Sequence, residues 1–191
     1  TYAISTSSIT ISYNANGGSG APSNQTTTRT TYCTSTSAAT TTGNTTISST
    51  KPTKTGYTFS KWNTSSDGSG TNYSSGTSYN IASSVTLYAI YTINSYTVNV
   101  VVQNGTVDTA SKTIQYNKSG TFNLTNNEGS DYTSVSCTNS QTASVSGGVL
   151  TVSNVTNNTT CTVVYTERTY TVTYAVGSDS TATGLPSSQT K

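Results

Sequence analysis

Side chains that could do acid–base or metal chemistry are scarce in this chain. It has 191 residues, with six acids, eight lysines and arginines, and no histidine. A histidine-based catalytic triad and a histidine–carboxylate metal site are both excluded. The net charge of +2 is also too weak and too sparse to hold nucleic acid through its phosphates. We therefore expect no enzymatic activity, no metal, no cofactor and no nucleic-acid partner.

The three cysteines offer the clearest covalent chemistry. Cys137 and Cys161 lie in two strand-like stretches, SVSCTN and TTCTVVY. A disulfide between them would close a loop of about 25 residues and contribute roughly 3–4 kcal/mol in the chain-entropy model. We predict this disulfide, and with it an oxidising compartment, over the alternative of two buried free thiols. Cys33 is then left either as a buried thiol, which we favour, or as a link to a neighbouring chain.

Calcium binding and two self-made covalent bonds are the other chemistries that these residues allow. The turn DGSGTN, residues 67–72, supplies one carboxylate where calcium usually takes several. An isopeptide bond needs a buried lysine beside an asparagine and an acid, and a thioester needs a cysteine with a glutamine. No spacing supports the isopeptide bond and the flanking residues do not support the thioester, so we predict neither. The candidates weighed are Lys61, Lys112 and Lys118 with Glu128 for the isopeptide, and Cys33 with Gln25 or Gln141 for the thioester.

An aromatic platform for sugars is the competing binding hypothesis. Trp62 with Tyr57, Tyr73 or Tyr88 could stack on a sugar ring while Asn63 and Asp67 hydrogen-bond its hydroxyls. Aromatic side chains also bring the largest apolar area to a core, and this chain has few aliphatic residues. We therefore favour a structural role for the aromatics. Trp62, Tyr73 and Asn63 remain the candidate platform for host or surface glycans.

The composition predicts an ordered, mainly β protein outside the cell. Ser and Thr make up 78 of the 191 residues, which by itself suggests disorder or a mucin-like stalk. Fourteen tyrosines, one tryptophan and alternating Val/Ile/Thr runs favour strands instead. No apolar run approaches the ~20 residues of a membrane span, and no window shows a helical apolar stripe. The polar, nearly uncharged surface suits an extracellular setting.

Residues 9–92 are predicted to form a first small β module. ITISY at 9–13 alternates with period two, and Asn16-Gly17-Gly18 is a turn signal. Residues 26–50 are expected to be a long loop or weak edge strands, and a short helix within 74–84 stays open. VTLYAIYT at 85–92 is the strongest strand. We choose Tyr57 and Leu87 as core anchors with Trp62 at the core edge, and assign the structural aromatic core to Tyr57, Phe59, Trp62, Leu87 and Tyr88.

Residues 93–167 are predicted to form a second β module. The turn Gln103–Gly105 follows a strand at 96–102 and contains Asn-Gly, a hairpin signal. Short strands follow at regular spacing, which is typical of a small β-rich domain. Their sequences are TIQY, TFNL, SVSC, VLTVSNV and CTVVY.

The two ends of the chain resemble each other. TISY at 10–13 matches TVTY at 171–174, and APSNQT at 21–26 matches LPSSQT at 185–190. Residues 1–8 are therefore predicted to be the last strand of a preceding module, and 168–191 the first strand of a following one. Tyr170, Val172 and Tyr174 would form the strand between modules. An unpaired strand of this kind could add to a second copy and build a head-to-tail filament, although a covalent tandem array is the favoured alternative.

The first module resembles the Listeria–Bacteroides repeat, the internalin B-repeat family. That family's pattern is N-x-N-G-G, then P-T-(K/R)-x-G-Y-x-F-x-x-W, then x-L-Y-A-x-(W/Y). It is met by Asn14, Asn16, Gly17, Gly18, Pro52, Thr53, Gly56, Tyr57, Phe59, Trp62, Leu87, Tyr88 and Ala89. The second module is similar to divergent members of the group in its strand spacing and its cysteine pair.

The resemblance implies tandem small modules, β-grasp-like or β-sandwich-like, on a bacterial cell surface. It provides no catalytic residues to carry over. We therefore expect a non-enzymatic structural repeat, a stalk or fibre segment of an adhesin, whose partners are neighbouring copies of itself. The alternatives are a module that binds carbohydrate or another host ligand, and a fibre protein of a phage or an appendage.

Overall fold

A computed structural model describes residues 3–34, 37–42, 44–175, 177–178 and 184–190, with side chains omitted at 3–4 and 32–42. The chain divides into two compact units, Thr1–Asn94 and Ser95–Lys191. Strands dominate the described part of both. Its one helical element is a 3₁₀ turn at Thr138–Ser140, far too short to span a bilayer. The prediction of a mainly β chain made of small sheets is confirmed.

The first unit contains eight strands in its described residues. They are β1 (Ala3–Asn14), β2 (Gln25–Thr34), β3 (Ser37–Thr42), β4 (Thr45–Thr46), β5 (Tyr57–Asn63), β6 (Asn72–Tyr73), β7 (Ser78–Tyr79) and β8 (Val85–Ile93). Six of them form one sheet in the order β3-β2-β1-β8-β5-β6, and β4 pairs with β7. The Thr-rich stretch at residues 26–50 therefore contains strands, because Thr is well suited to a sheet edge that is partly exposed to solvent. Residues 74–84 form turns and β7 rather than a helix.

The central sheet of the first unit is mixed. β1 pairs antiparallel with β2 on one side and parallel with β8 on the other, and β5 pairs antiparallel with β8. The first and last strands of the unit are thus neighbours, which is the strand order of a β-grasp sheet. Its apolar face is covered by Ile47 and Ile81, both buried, which lie beside the β4–β7 pair.

Trp62 lies at the centre of the first core rather than at its edge. A β-bulge at Ser60 makes Phe59 pair with Tyr91 and Trp62 with Ala89, so that both aromatic rings face the same side of the sheet. Strict alternation would have placed them on opposite sides. The buried cluster is Ile9, Ile11, Tyr13, Ile47, Trp62, Ile81, Leu87 and Ala89.

The second unit is a sandwich of two small sheets. Its strands are β9 (Ser95–Gln103), β10 (Gly105–Val107), β11 (Ser111–Gln115), β12 (Gly120–Asn126), β13 (Ser130–Cys137), β14 (Ala143–Ser146), β15 (Val149–Val152), β16 (Thr159–Glu167), β17 (Thr171–Val172) and β18 (Gln189–Thr190). The sheets have the orders β11-β9-β16-β13 and β10-β12-β15-β14, with β17 and β18 paired separately.

Both sheets of the sandwich contribute to one core. Val98 and Val163 come from the first sheet, and Phe122 and Leu150 from the second, all with 0% exposure. In the first sheet, β9 pairs antiparallel with β11 and parallel with β16, so the β-grasp strand order recurs. The five strands expected from the short alternating runs are present as β11, β12, β13, β15 and β16.

Candidate functional site

Cys137 and Cys161 form a disulfide across two neighbouring strands. They are partners in the antiparallel register of β13 and β16, and their Cα atoms lie 4.0 Å apart. Cys161 is fully buried in the core of the sandwich. The bridge therefore ties the edge strand β13 to the central strand β16. The side chain of Cys33 lies outside the described part of the structure, so its state stays a prediction.

The aromatic residues of the first unit divide into a buried group and a half-buried group. Trp62 meets Tyr13 and Phe59 edge-on, with ring centroids 4.8 and 5.2 Å apart. Tyr57 and Tyr88 are half-buried and do not join this cluster, and Leu87 is fully buried within it. Tyr57 instead lies under Lys54, whose Nζ is 4.8 Å from the ring centroid.

The candidate sugar platform is not an open surface. Trp62 and Asn63 both have 0% exposure, and Tyr73 is half-buried against Tyr79 with ring centroids 4.8 Å apart. Trp62 therefore presents no ring face on which a sugar could stack. Its burial follows from the bulge in β5, which residue types alone do not reveal.

Asn63 organises the loop that follows β5. Its side-chain Nδ2 donates to the carbonyls of Gly68 and Gly70 and to Asn72 Oδ1, at 2.7–3.1 Å. Its Oδ1 accepts from the backbone N–H groups of Ser65 and Gly70, at 2.7 and 3.0 Å. A fully buried amide therefore satisfies five groups of the loop, which is a structural role that the sequence interpretation missed.

Asp67, the carboxylate of the calcium candidate turn, is engaged within its own loop. Oδ1 accepts hydrogen bonds from the Ser65 hydroxyl and from the hydroxyl and N–H of Ser69, at 2.6–2.9 Å. The Ser65 hydroxyl, followed by the Ser69 groups, lowers the pKa of Asp67 to about 2. The described residues contain no group of three or more His, Cys, Asp or Glu placed to hold a metal ion.

The turn Asn14–Gly18 joins the elements of the first sheet. Asn16 Nδ2 donates to the carbonyls of Ser66 and Ala89, at 2.8 and 3.0 Å. Gly17 has a φ of 82°, in the left-handed region that favours glycine. A Cβ on Gly18 would lie 2.2 Å from the hydroxyl oxygen of Tyr91, so only glycine fits there. The N-x-N-G-G motif is thus explained by packing.

The structure brings Lys112, Asp108 and Asn123 into one neighbourhood in the second unit. Lys112 Nζ lies 4.7 Å from the ring centroid of Phe122, and Asp108 Oδ2 accepts from Asn123 Nδ2 at 2.8 Å. Asp108 and Asn123 are exposed. Desolvation raises the pKa of Asp108, but the hydrogen bonds with Asn123 and Thr109 and the charge of Lys112 together lower it, and the net shift is downward. Glu128, the acid weighed for the isopeptide bond, is exposed as well, so the buried setting that such a bond needs is absent at these residues.

The candidate inter-module strand is exposed. Tyr170, Val172 and Tyr174 are 58%, 49% and 41% exposed. β17 pairs antiparallel with β18, with Thr171 opposite Thr190 and Val172 opposite Gln189.

This register reproduces that of the first hairpin. Thr10 lies opposite Thr26 and Ile11 opposite Gln25 in the β1–β2 pair. These are the residues that the end-to-end similarity aligns with the four residues of β17 and β18.

Comparisons with known proteins identify the first unit. Residues 10–90 match the family model of the Listeria-Bacteroides repeat domain. Searches of curated proteins and of solved structures returned no match. The family match indicates an extracellular repeat domain of a bacterial surface protein, of a type that is typically structural. The resemblance of the first module to the Listeria-Bacteroides repeat is thereby confirmed over residues 10–90.

Proposed function

We propose that this chain is a non-enzymatic segment of a stalk or fibre on a bacterial cell-surface adhesin. In this proposal, residues 168–191 form the first hairpin of a further module. The modules are joined either covalently, as a tandem array, or by head-to-tail strand exchange between copies. The family match at residues 10–90 supports a surface repeat. The function is mechanical: folded modules hold a binding region at a distance from the cell.

The register of the terminal hairpin is the observation that carries this proposal. Thr171–Thr190 and Val172–Gln189 repeat the pairing of Thr10–Thr26 and Ile11–Gln25. A one-residue slip would turn every side chain to the opposite face, so a shared register means a shared inward face. Val172 and Tyr174 thereby correspond to Ile11 and Tyr13, which are core residues of the first unit.

The first unit indicates which kind of strand would pair with the terminal hairpin. In that unit, the second edge of β1 pairs parallel with β8, with Ile11 opposite Val85 and Tyr13 opposite Leu87. The corresponding residues Val172 and Tyr174 are exposed. An exposed apolar strand is a template for strand addition, so a β8-type strand is the expected occupant.

A peptide of residues 84–92, SVTLYAIYT, tests this pairing. We expect it to bind the chain and to slow hydrogen exchange at the backbone amides of 171–174. The Val172→Asp variant, which places a charge on the proposed inward face, should lose this protection. A matched control is Thr171→Asp, which alters the opposite face of the same strand.

Two results would contradict the proposed pairing. One is peptide binding that is equal in wild type, Val172→Asp and Thr171→Asp. The other is an absence of protection at 171–174 with the peptide in excess. Sedimentation velocity separates the two forms of assembly, because only head-to-tail exchange makes the size of the particle depend on protein concentration.

A further inference from the structure

Arg29 is a buried cation with an incomplete set of hydrogen bonds. It lies on β2 and its side chain is 1% exposed. Nη1 donates to Asn80 Oδ1 at 3.0 Å, and the described residues provide no partner for Nε or Nη2, which are both buried. The guanidinium has five N–H donors and no acceptor, so these atoms can be satisfied only by accepting groups.

The two unpartnered atoms, Nε and Nη2, form one edge of the guanidinium fork. That edge matches the two oxygens of a carboxylate. Arg168 uses the same edge in the second unit: its Nε donates to Asp131 Oδ2 at 2.8 Å and its Nη2 to Asp131 Oδ1 at 2.5 Å. The chain therefore contains one occupied fork and one buried fork of the same chemistry whose edge has no partner among the described residues.

The first unit has no carboxylate to offer Arg29. Asp67 is the one acid among residues 1–94, and it is engaged by Ser65 and Ser69 in the loop after β5. Burying a charge without a counter-charge is costly, so a counter-ion would stabilise this unit. The hydroxyl of Thr45 is also buried and has no partner in the described part of the chain, and Thr45 pairs with Tyr79, the chain neighbour of Asn80.

We propose that the Nε/Nη2 edge of Arg29 is a binding site for a carboxylate. A small free carboxylate and a carboxylate side chain of a second copy share this chemistry. Asn80 is exposed while it holds Nη1, so the tip of Arg29 lies close to the surface. The site is independent of the terminal hairpin and of the proposed stalk function.

Nitrogen-15 NMR of the arginine side chains tests the site directly. The chain has two arginines, Arg29 and Arg168, so the spectrum contains two Nε–H signals, which Arg168→Lys assigns. Sodium acetate should shift the Arg29 signal saturably and leave that of Arg168, already paired with Asp131, in place. Sodium chloride at equal ionic strength is the control.

Varying the protein concentration distinguishes the two sources of carboxylate. If a second copy supplies it, the Arg29 signal should change with protein concentration without acetate, and acetate should compete. If the carboxylate is a small free anion, the signal should respond to acetate alone. An Arg29 signal that changes with neither overturns the proposal.

Melting temperatures provide a second readout. Acetate should raise the melting temperature of the wild type and of Arg168→Lys, but not that of Arg29→Met, which has no fork. Arg29→Lys keeps the charge without the fork and should respond less than the wild type; it serves as the test if Arg29→Met does not fold. Equal acetate effects in wild type and both Arg29 variants would overturn the site.

Discussion

Tyr13 on β1 and Trp62 on β5 meet edge-on, with ring centroids 4.8 Å apart, although β8 lies between their strands. Trp62 pairs with Ala89 on β8, whose small side chain leaves room for the indole. Tyr13 pairs with Leu87 on the other side of the same strand. Edge-to-face contact of two aromatic rings stabilises beyond the area that it buries. These rings therefore link three strands of the first sheet.

Replacing Trp62 by Ala should destabilise the first unit by about 3–5 kcal/mol, because it leaves a cavity at the centre of the core. Urea denaturation followed by far-UV circular dichroism measures the loss. Trp62→Phe keeps an aromatic ring and should lose less. Tyr57→Ala, at a half-buried position outside the cluster, is the control. A Trp62→Ala protein as stable as Tyr57→Ala would contradict the central role of the ring.

Replacing Asn63 by Ala should cost about 2–4 kcal/mol, since several loop groups lose their buried partner at once. Trp62 is the one tryptophan in the chain, so its fluorescence follows unfolding of the first unit. Ser66→Ala, at an exposed position in the same loop, should change the stability little. If the Asn63 and Ser66 variants unfold at the same urea concentration, the loop does not depend on the amide.

Asp67 should make the first unit sensitive to acid. Its pKa in the folded state, about 2, is below the ordinary 3.8. The lowered value means that the ionised group stabilises the fold above pH 3.8, and that this contribution is lost as pH falls toward 2. Asp67→Asn should therefore be less stable than wild type at neutral pH, with the gap closing over that window. Thermal melts against pH measure it, and a gap independent of pH would refute the assignment.

Reducing the Cys137–Cys161 bridge should destabilise the second unit by roughly 3–4 kcal/mol, as expected for cysteines with a sequence separation of 24. Urea denaturation with and without a reducing agent measures the change. The Cys33→Ser variant should show the same loss of stability on reduction, because it keeps the Cys137–Cys161 bridge. A reducing agent that affects the wild type but not Cys33→Ser would assign the effect to Cys33 instead.

Several features of this protein could be derived from the sequence because they depend on neighbouring residues. Alternation with period two predicts β1, β8 and β9, and turn residues separate the strands of the second unit. The spacing of Asn, Gly and aromatic residues identifies the repeat that the family match confirms at 10–90. The absence of histidine excludes a histidine-based catalytic triad and a histidine–carboxylate metal site before any fold is known.

Long-range pairing decided the rest. The bulge at Ser60 depends on how β5 meets β8, and it moved Trp62 from the expected edge of the core to its centre and buried the candidate sugar platform. Asn63 and Arg29 are ordinary polar residues in the sequence, and only the folding of distant segments around them buries an amide and a charge. The shared register of the two hairpins also could not be derived from alternation alone. Alternation divides the side chains of a strand between two faces, but tertiary contacts determine which face is buried.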